Sequence, residues 1–153
     1  MGLIVKDTST GLRSGGCQVF FDSMPNNLSQ DAMFLLIMIG EIANEDNVLV
    51  RRVDRKSKFS SIIYKPLDKD EIRERTRFRY GMNKFDRCWT ELNKKCLKKV
   101  RYYDYLVWAV NPAFVNNCKF VPFWLYEEFQ EYMNPYLSAT TIKKLQEKIR
   151  SYN

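Results

Sequence analysis

At 153 residues, 45% of them hydrophobic, the chain can fill one core but is too short for two ordinary domains. It contains no histidine, which removes the usual general base, and its four cysteines form no C-x-x-C pair, which argues against zinc ribbons and fingers. The net charge of +7 is confined: residues 1–50 carry 2 basic against 6 acidic side chains, residues 51–101 carry 18 against 7, and residues 102–153 carry 5 against 5.

A solvated surface spreads its charge, whereas a polyanion-binding face concentrates it, as the middle third does here. No paired-carboxylate arrangement stands out, so an enzyme is not expected, nor is a cofactor or a metal. Cys17, Cys88, Cys96 and Cys118 read as buried, reduced thiols. The longest apolar run, Ala32 to Ile39, falls far short of a membrane span, and no basic amphipathic anchor is present, so no membrane partner is expected. The opening MGLIVKDTSTG lacks the charged start and apolar core of a secretory signal. These readings predict an intracellular, cytoplasmic protein.

In chain order, the first predicted element is a short strand at Cys17-Gln-Val-Phe-Phe21, between Gly15-Gly16 and the loop Met24-Pro25-Asn26-Asn27. Ser29 caps a helix to about Asn44, apolar nearly all round and therefore central to a core. Val48–Val53 and Phe59–Tyr64 read as a hairpin with arginine and lysine at its tip, ended by Pro66. Asp68 then caps a short helix from Lys69 to about Phe78, with Glu71 as its capping-box partner, and Arg79-Tyr80-Gly81 forms a turn.

A second helix follows, from about Met82 to Lys95. Its spacing puts Phe85, Cys88, Trp89, Leu92 and Cys96 on one side, and Asn83, Lys84, Arg87, Thr90, Glu91 and Lys94 on the other. The polar side offers donors suited to phosphates or base edges, although an ordinary amphipathic surface helix has the same pattern. Cys96 to Val100, a reversal over Tyr102–Asp104, and Tyr105 to Val110 read as a two-stranded wing. Leu106, Trp108 and Val110 alternate toward the core, and Pro112 closes the strand. Trp124 to about Tyr132 reads as a helix. Ser138 caps a last one, whose stripe of Ile142, Leu145 and Ile149 fits either packing on its own domain or a homodimer contact.

Two helices, the second basic, followed by a β-ribbon make a helix-turn-helix with a wing. The run Glu71-Ile-Arg-Glu-Arg-Thr76 resembles the "E-I-A-x-x-T" opening of winged helix-turn-helix proteins. Phe85-Asp-Arg-Cys-Trp-Thr-Glu-Leu-Asn-Lys-Lys-Cys-Leu-Lys-Lys-Val100 resembles their recognition helix and wing entry. The exit Val110-Asn-Pro112, followed by Phe120-Val-Pro-Phe-Trp-Leu-Tyr126, is similar to the RepL-like replication proteins of plasmids and phages. The resemblance covers roughly residues 29–130. It departs at Arg73 and Arg77, where alanine and glycine are usual, at Cys96, where glycine is usual, and in an inter-helix turn about two residues longer.

The expected fold is therefore α+β: a winged helix-turn-helix with an extra N-terminal strand, an inserted β-hairpin and C-terminal helices. Residues 1–28 would form an N-terminal arm, 29–130 the winged-helix domain (helix-turn-helix 68–96, wing 97–111) and 131–153 the C-terminal helix. The expected partner is double-stranded DNA, and the expected role is replication initiation or control, or transcription regulation, for a plasmid, phage or similar element. Asn83, Lys84, Arg87, Thr90 and Lys94 would face the major groove. Lys99, Arg101 and Tyr102 would sit at the wing, and Arg51, Arg52, Arg55, Lys56 and Lys58 would add backbone contacts from the hairpin. The alternative is a winged helix that binds protein as part of a larger phage-type assembly.

Overall fold

Ser29 begins the central helix, α1 (Gln30–Ile42), by accepting a hydrogen bond from the Ala32 amide at 3.1 Å. The computed structural model describes residues 2–4, 12–14, 17–53, 63–76, 81–118 and 120–152. Ala32, Leu35, Leu36 and Ile39 of α1 are fully buried in the core. Gly40 is there because the helix must approach the chain after the wing: a Cβ on it would collide with the side chain of Val115.

The chain then turns at Asn44–Asn47. Asn44 Oδ1 accepts from the amides of Asp46 and Val48, and Asn47 takes a left-handed φ of 60°, which asparagine tolerates well. Val48 bridges Ala109, and the Leu49 amide donates to Trp108 O at 2.8 Å. A hairpin of β4 (Val50–Val53) and β5 (Ile63–Pro66) leaves from this point, with Arg52 opposite Tyr64. The chain returns as Leu67 N donates to Leu49 O. β4 starts two residues later than the sequence predicts and β5 runs on to Pro66, while residues 54–62, the expected hairpin tip and the start of its second strand, lie outside the described residues.

Asp68 caps α2 (Lys69–Arg75) through its bond from Glu71 N at 2.8 Å, as expected. The turn expected at 79–81 falls mostly on 77–80, outside the described residues. Next come α3 (Met82–Leu92) and a ribbon of β6 (Leu97–Tyr102) and β7 (Tyr105–Val110), paired from Leu97↔Val110 to Tyr102↔Tyr105. With Val48 bridged to Ala109, the order is helix, edge bridge, hairpin, two helices, ribbon.

The N-terminal segments are sewn to the far side of this unit by antiparallel pairing. β1 (Gly2–Ile4) pairs with β9 (Val121–Pro122), and β2 (Leu12–Ser14) pairs with β3 (Cys17–Val19), which pairs in turn with β8 (Val115–Asn116). With α4 (Phe123–Met133) and α5 (Ala139–Tyr152), the described residues form a mixed α+β fold with five α-helices and small antiparallel sheets. Leu145 of α5 is buried and Ile149 packs beside the core, while Gln146 reaches Tyr126 and Gln130 of α4. Two of the three residues of the stripe offered for a homodimer, Leu145 and Ile149, are thus engaged within their own chain.

Candidate nucleic-acid interface

α3 joins core and surface. Phe85, Cys88, Trp89 and Leu92 are buried, as the sequence pattern requires. Trp89 lies edge-on to Trp108 of β7 at 4.9 Å and beside Phe85 at 5.6 Å. Lys69 sits 5.4 Å from the Trp89 ring and 3.7 Å from Asp86, so α2, α3 and the ribbon meet at one point.

The polar side of α3 divides in two. Lys84 pairs with Asp31 at 2.9 Å, and Glu91 accepts from both the amide and the hydroxyl of Ser29. These two residues dock α3 onto the start of α1, which corrects the placement of Lys84 on a free binding edge. Asn83, Asp86, Arg87 and Thr90 face solvent, with the Thr90 hydroxyl donating to Asp86 O. Lys94 is exposed but not helical: α3 stops at Leu92, and Lys94 takes a φ of 75° in the turn that returns Cys96 N to Leu92 O. That tight turn, closed by Lys94 N donating to Leu97 O at 2.7 Å, ends the helix before the expected Lys95 and starts β6 at Leu97.

The ribbon corrects two further expectations through strand parity. Val100, Tyr102, Val107 and Ala109 are buried, whereas Leu106 is 64% exposed and Trp108 only half-buried. Tyr102 therefore cannot serve at the surface. Its hydroxyl donates to Asp46 at 2.7 Å, and its ring meets Trp124 and Tyr64. Burial, then the bond to Asp46, pushes that hydroxyl above the usual tyrosine range. The opposite face carries Lys99, Arg101, Leu106 and Trp108, with Lys99 Nζ 5.4 Å from the Trp108 ring. Met82 and Asp86 of α3 share a groove with Lys99, Leu106 and Trp108, so this face and the exposed edge of α3 adjoin.

The hairpin contributes Arg51 and Arg52, both exposed; Arg51 lies 3.9 Å from Glu71. Arg55, Lys56 and Lys58 lie outside the described residues. No described residue forms an ion pair with Arg52, Arg87 or Arg101.

Two asparagines brace this surface from behind, and only Asn111, in the Asn-Pro exit of the ribbon, stands out in the sequence. Asn47 donates to Val110 O and Val115 O and accepts from Asn117 N, all within 3.0 Å. Asn111, of the Asn-Pro exit, donates to Lys95 O and accepts from Ala113 N. Both are buried, and together they fix the base of the ribbon relative to α1 and β8. The run Asn44-Glu-Asp-Asn47 signals a turn, but nothing local signals bonding to residues so far along the chain.

Among the described residues no group of three or more Cys, Asp or Glu could hold a metal ion, and no helix is long and apolar enough to cross a membrane. Burial raises the thiol of Cys88 and pushes those of Cys96 and Cys118 up to about 12. No family model, curated protein or solved structure matches the chain.

Proposed function

We propose that the chain is a winged-helix DNA-binding protein, with α3 in a major groove and the β6–β7 ribbon, its wing, along the adjoining backbone. The observation that carries this reading is that α3 and the ribbon share a groove, through Met82 and Asp86 on one side and Lys99 on the other, and that both elements also expose a guanidinium group, Arg87 on α3 and Arg101 on the ribbon. Both belong to the segment that concentrates the chain's positive charge. The element order supports it, since a helix, an edge bridge, two helices and a ribbon follow in the winged-helix sequence, with β4–β5 as an insertion. Asp86 on the same edge is offset by Lys69. Replication initiation or control, or transcription regulation, of a plasmid or phage is the role the resemblance implies.

The test is a salt titration of binding to duplexes selected from random DNA. A recovered consensus and a steep fall of affinity with salt are expected, with a slope of about −0.9 per phosphate contacted. Exposure of Leu106 and Met82 beside Trp108 favours a second reading, a protein-binding surface. Absence of binding to duplex and to single-stranded DNA alike at low salt would decide for that reading.

A further inference from the structure

Tyr103 stands at the tip of the ribbon in a two-residue turn between the paired Tyr102 and Tyr105. Its φ of 52° is left-handed, a conformation that glycine, asparagine and aspartate adopt readily and tyrosine does not. Burial does not compensate, because the side chain is 72% exposed. Its ring is nonetheless oriented: Tyr102 meets it edge-on at 4.8 Å, and Tyr64 lies nearly parallel (15°) with centroids 6.4 Å apart. Tyr105 and Leu106 are also exposed, at 41% and 64%, and Arg101 lies directly across from Leu106. Arg52, opposite Tyr64 on the neighbouring hairpin, adds a second cation, with Asp104 as the one acidic side chain in the turn itself.

An oriented, solvent-facing ring held in an unfavourable backbone geometry, with guanidinium groups on the strand that leads to it and on the strand paired with Tyr64, is suited to stacking on a flat, exposed π-face beside a phosphate chain. We infer that the ribbon tip binds unpaired nucleobases, with Tyr103 as the stacking residue and Arg101 and Arg52 holding the flanking phosphates. A fully paired duplex hides its base faces, so the ligand is single-stranded DNA or a locally opened duplex. This rests on the winged-helix reading for the side from which DNA approaches, and it adds to the duplex grip a preference for opened sites.

The experiment measures affinity by fluorescence anisotropy for three probes: a duplex, the same duplex with a four-nucleotide unpaired bubble, and oligo-dT. The parent protein is expected to favour the bubble over the duplex by about tenfold, the scale of one base–aromatic stack. Tyr103→Asn, which suits the left-handed turn but removes the ring, should abolish that preference and leave duplex affinity unchanged. Tyr103→Phe should keep it. Equal parent affinity for bubble and duplex, or a Tyr103→Asn variant that still prefers the bubble, overturns the inference. Bubble and oligo-dT binding that depends on Tyr103, with no duplex binding, would uphold it and overturn the duplex-reading function instead. Failure of all three probes to bind overturns both.

Discussion

The rings of Trp89 and Trp108 meet edge to face at 4.9 Å, and through this contact α3 and the β6–β7 ribbon share one orientation. Trp89 is 3% exposed, so Trp89→Ala should cost on the order of 3–5 kcal/mol by truncating a large buried ring. A double-mutant cycle with Trp108→Leu, read by urea denaturation, should give a coupling of about 0.5–1.5 kcal/mol. A coupling of zero would mean that helix and ribbon are held independently.

Lys84 and Arg87, one turn apart on α3, should behave oppositely. Lys84→Ala removes an ion pair to Asp31 that is about one-third exposed, so stability should change by about 0–1 kcal/mol with little effect on DNA preference. Arg87→Ala should lose roughly 1–3 kcal/mol on the preferred duplex and relax selection at one base pair. Lys99→Ala and Arg101→Ala should weaken all duplexes about equally, each lowering the salt slope by about one. Equal losses on preferred and scrambled duplexes for Arg87→Ala would show that α3 reads no bases.

Asn47 combines three side-chain hydrogen bonds, two of them buried, with a left-handed backbone. Asn47→Gly keeps the backbone freedom and loses the bonds, and Asn47→Ala loses both. Asn47→Ala should therefore be the less stable of the two, and each should fall at least about 2 kcal/mol below the parent in thermal or urea unfolding, given the groups left unsatisfied. Equal stability of the two variants would mean that the backbone conformation carries no strain for alanine.

The buried thiols predict a loss of stability in alkali. Cys96 and Cys118 are raised from 9.0 to about 12, so above pH 9 the unfolded chain releases protons that the folded chain keeps. Stability then falls as pH rises from about 9 toward 12, by up to about 1.4 kcal/mol per pH unit for each thiol. Below pH 9 these thiols contribute no slope. Urea midpoints at pH 8 and pH 10 for the parent and for Cys96→Ala should show a shallower fall in the variant.

Gly40→Ala tests how closely α1 approaches the chain after the ribbon. The added methyl would collide with Val115, so either the helix or β8 must move, at roughly 1–3 kcal/mol. Val115→Ala in the same chain should recover part of that loss. A Gly40→Ala protein as stable as the parent would place slack between α1 and β8.

Local chemistry made much of this legible. Ser29, Asp68 and Ser138 each cap the helix expected of them, because a cap is a bond between residues three apart. The apolar side of α3 was legible for the same reason, its spacing being set by the helix alone. The ribbon was legible as a hairpin but not in its facing. Tyr105 to Val110 is apolar at every position, so alternation could not reveal that Val107, not Leu106, turns inward. Tyr102 was misplaced by the same one-residue parity. The division of the polar side of α3 between Arg87 and Lys84 was hidden too, because it depends on Asp31 and Ser29, far back in the sequence.

The pairing of β3 with β8 sets a kinetic problem. Gln18 pairs with the nearby Arg13 on one side and with Asn116 on the other, and this second pairing closes a loop that includes the whole helix–ribbon unit. Contacts of such sequence separation slow folding, because their chain entropy is lost before the strands can pair. At a synthesis rate of about 5–20 residues per second, β3 waits several seconds for β8. During that interval Cys17, Val19 and Phe20, all buried in the finished protein, face water. The helix–ribbon unit, rich in near-sequence contacts, has time to form first, and the N-terminal strands should dock last as a separate, slower phase.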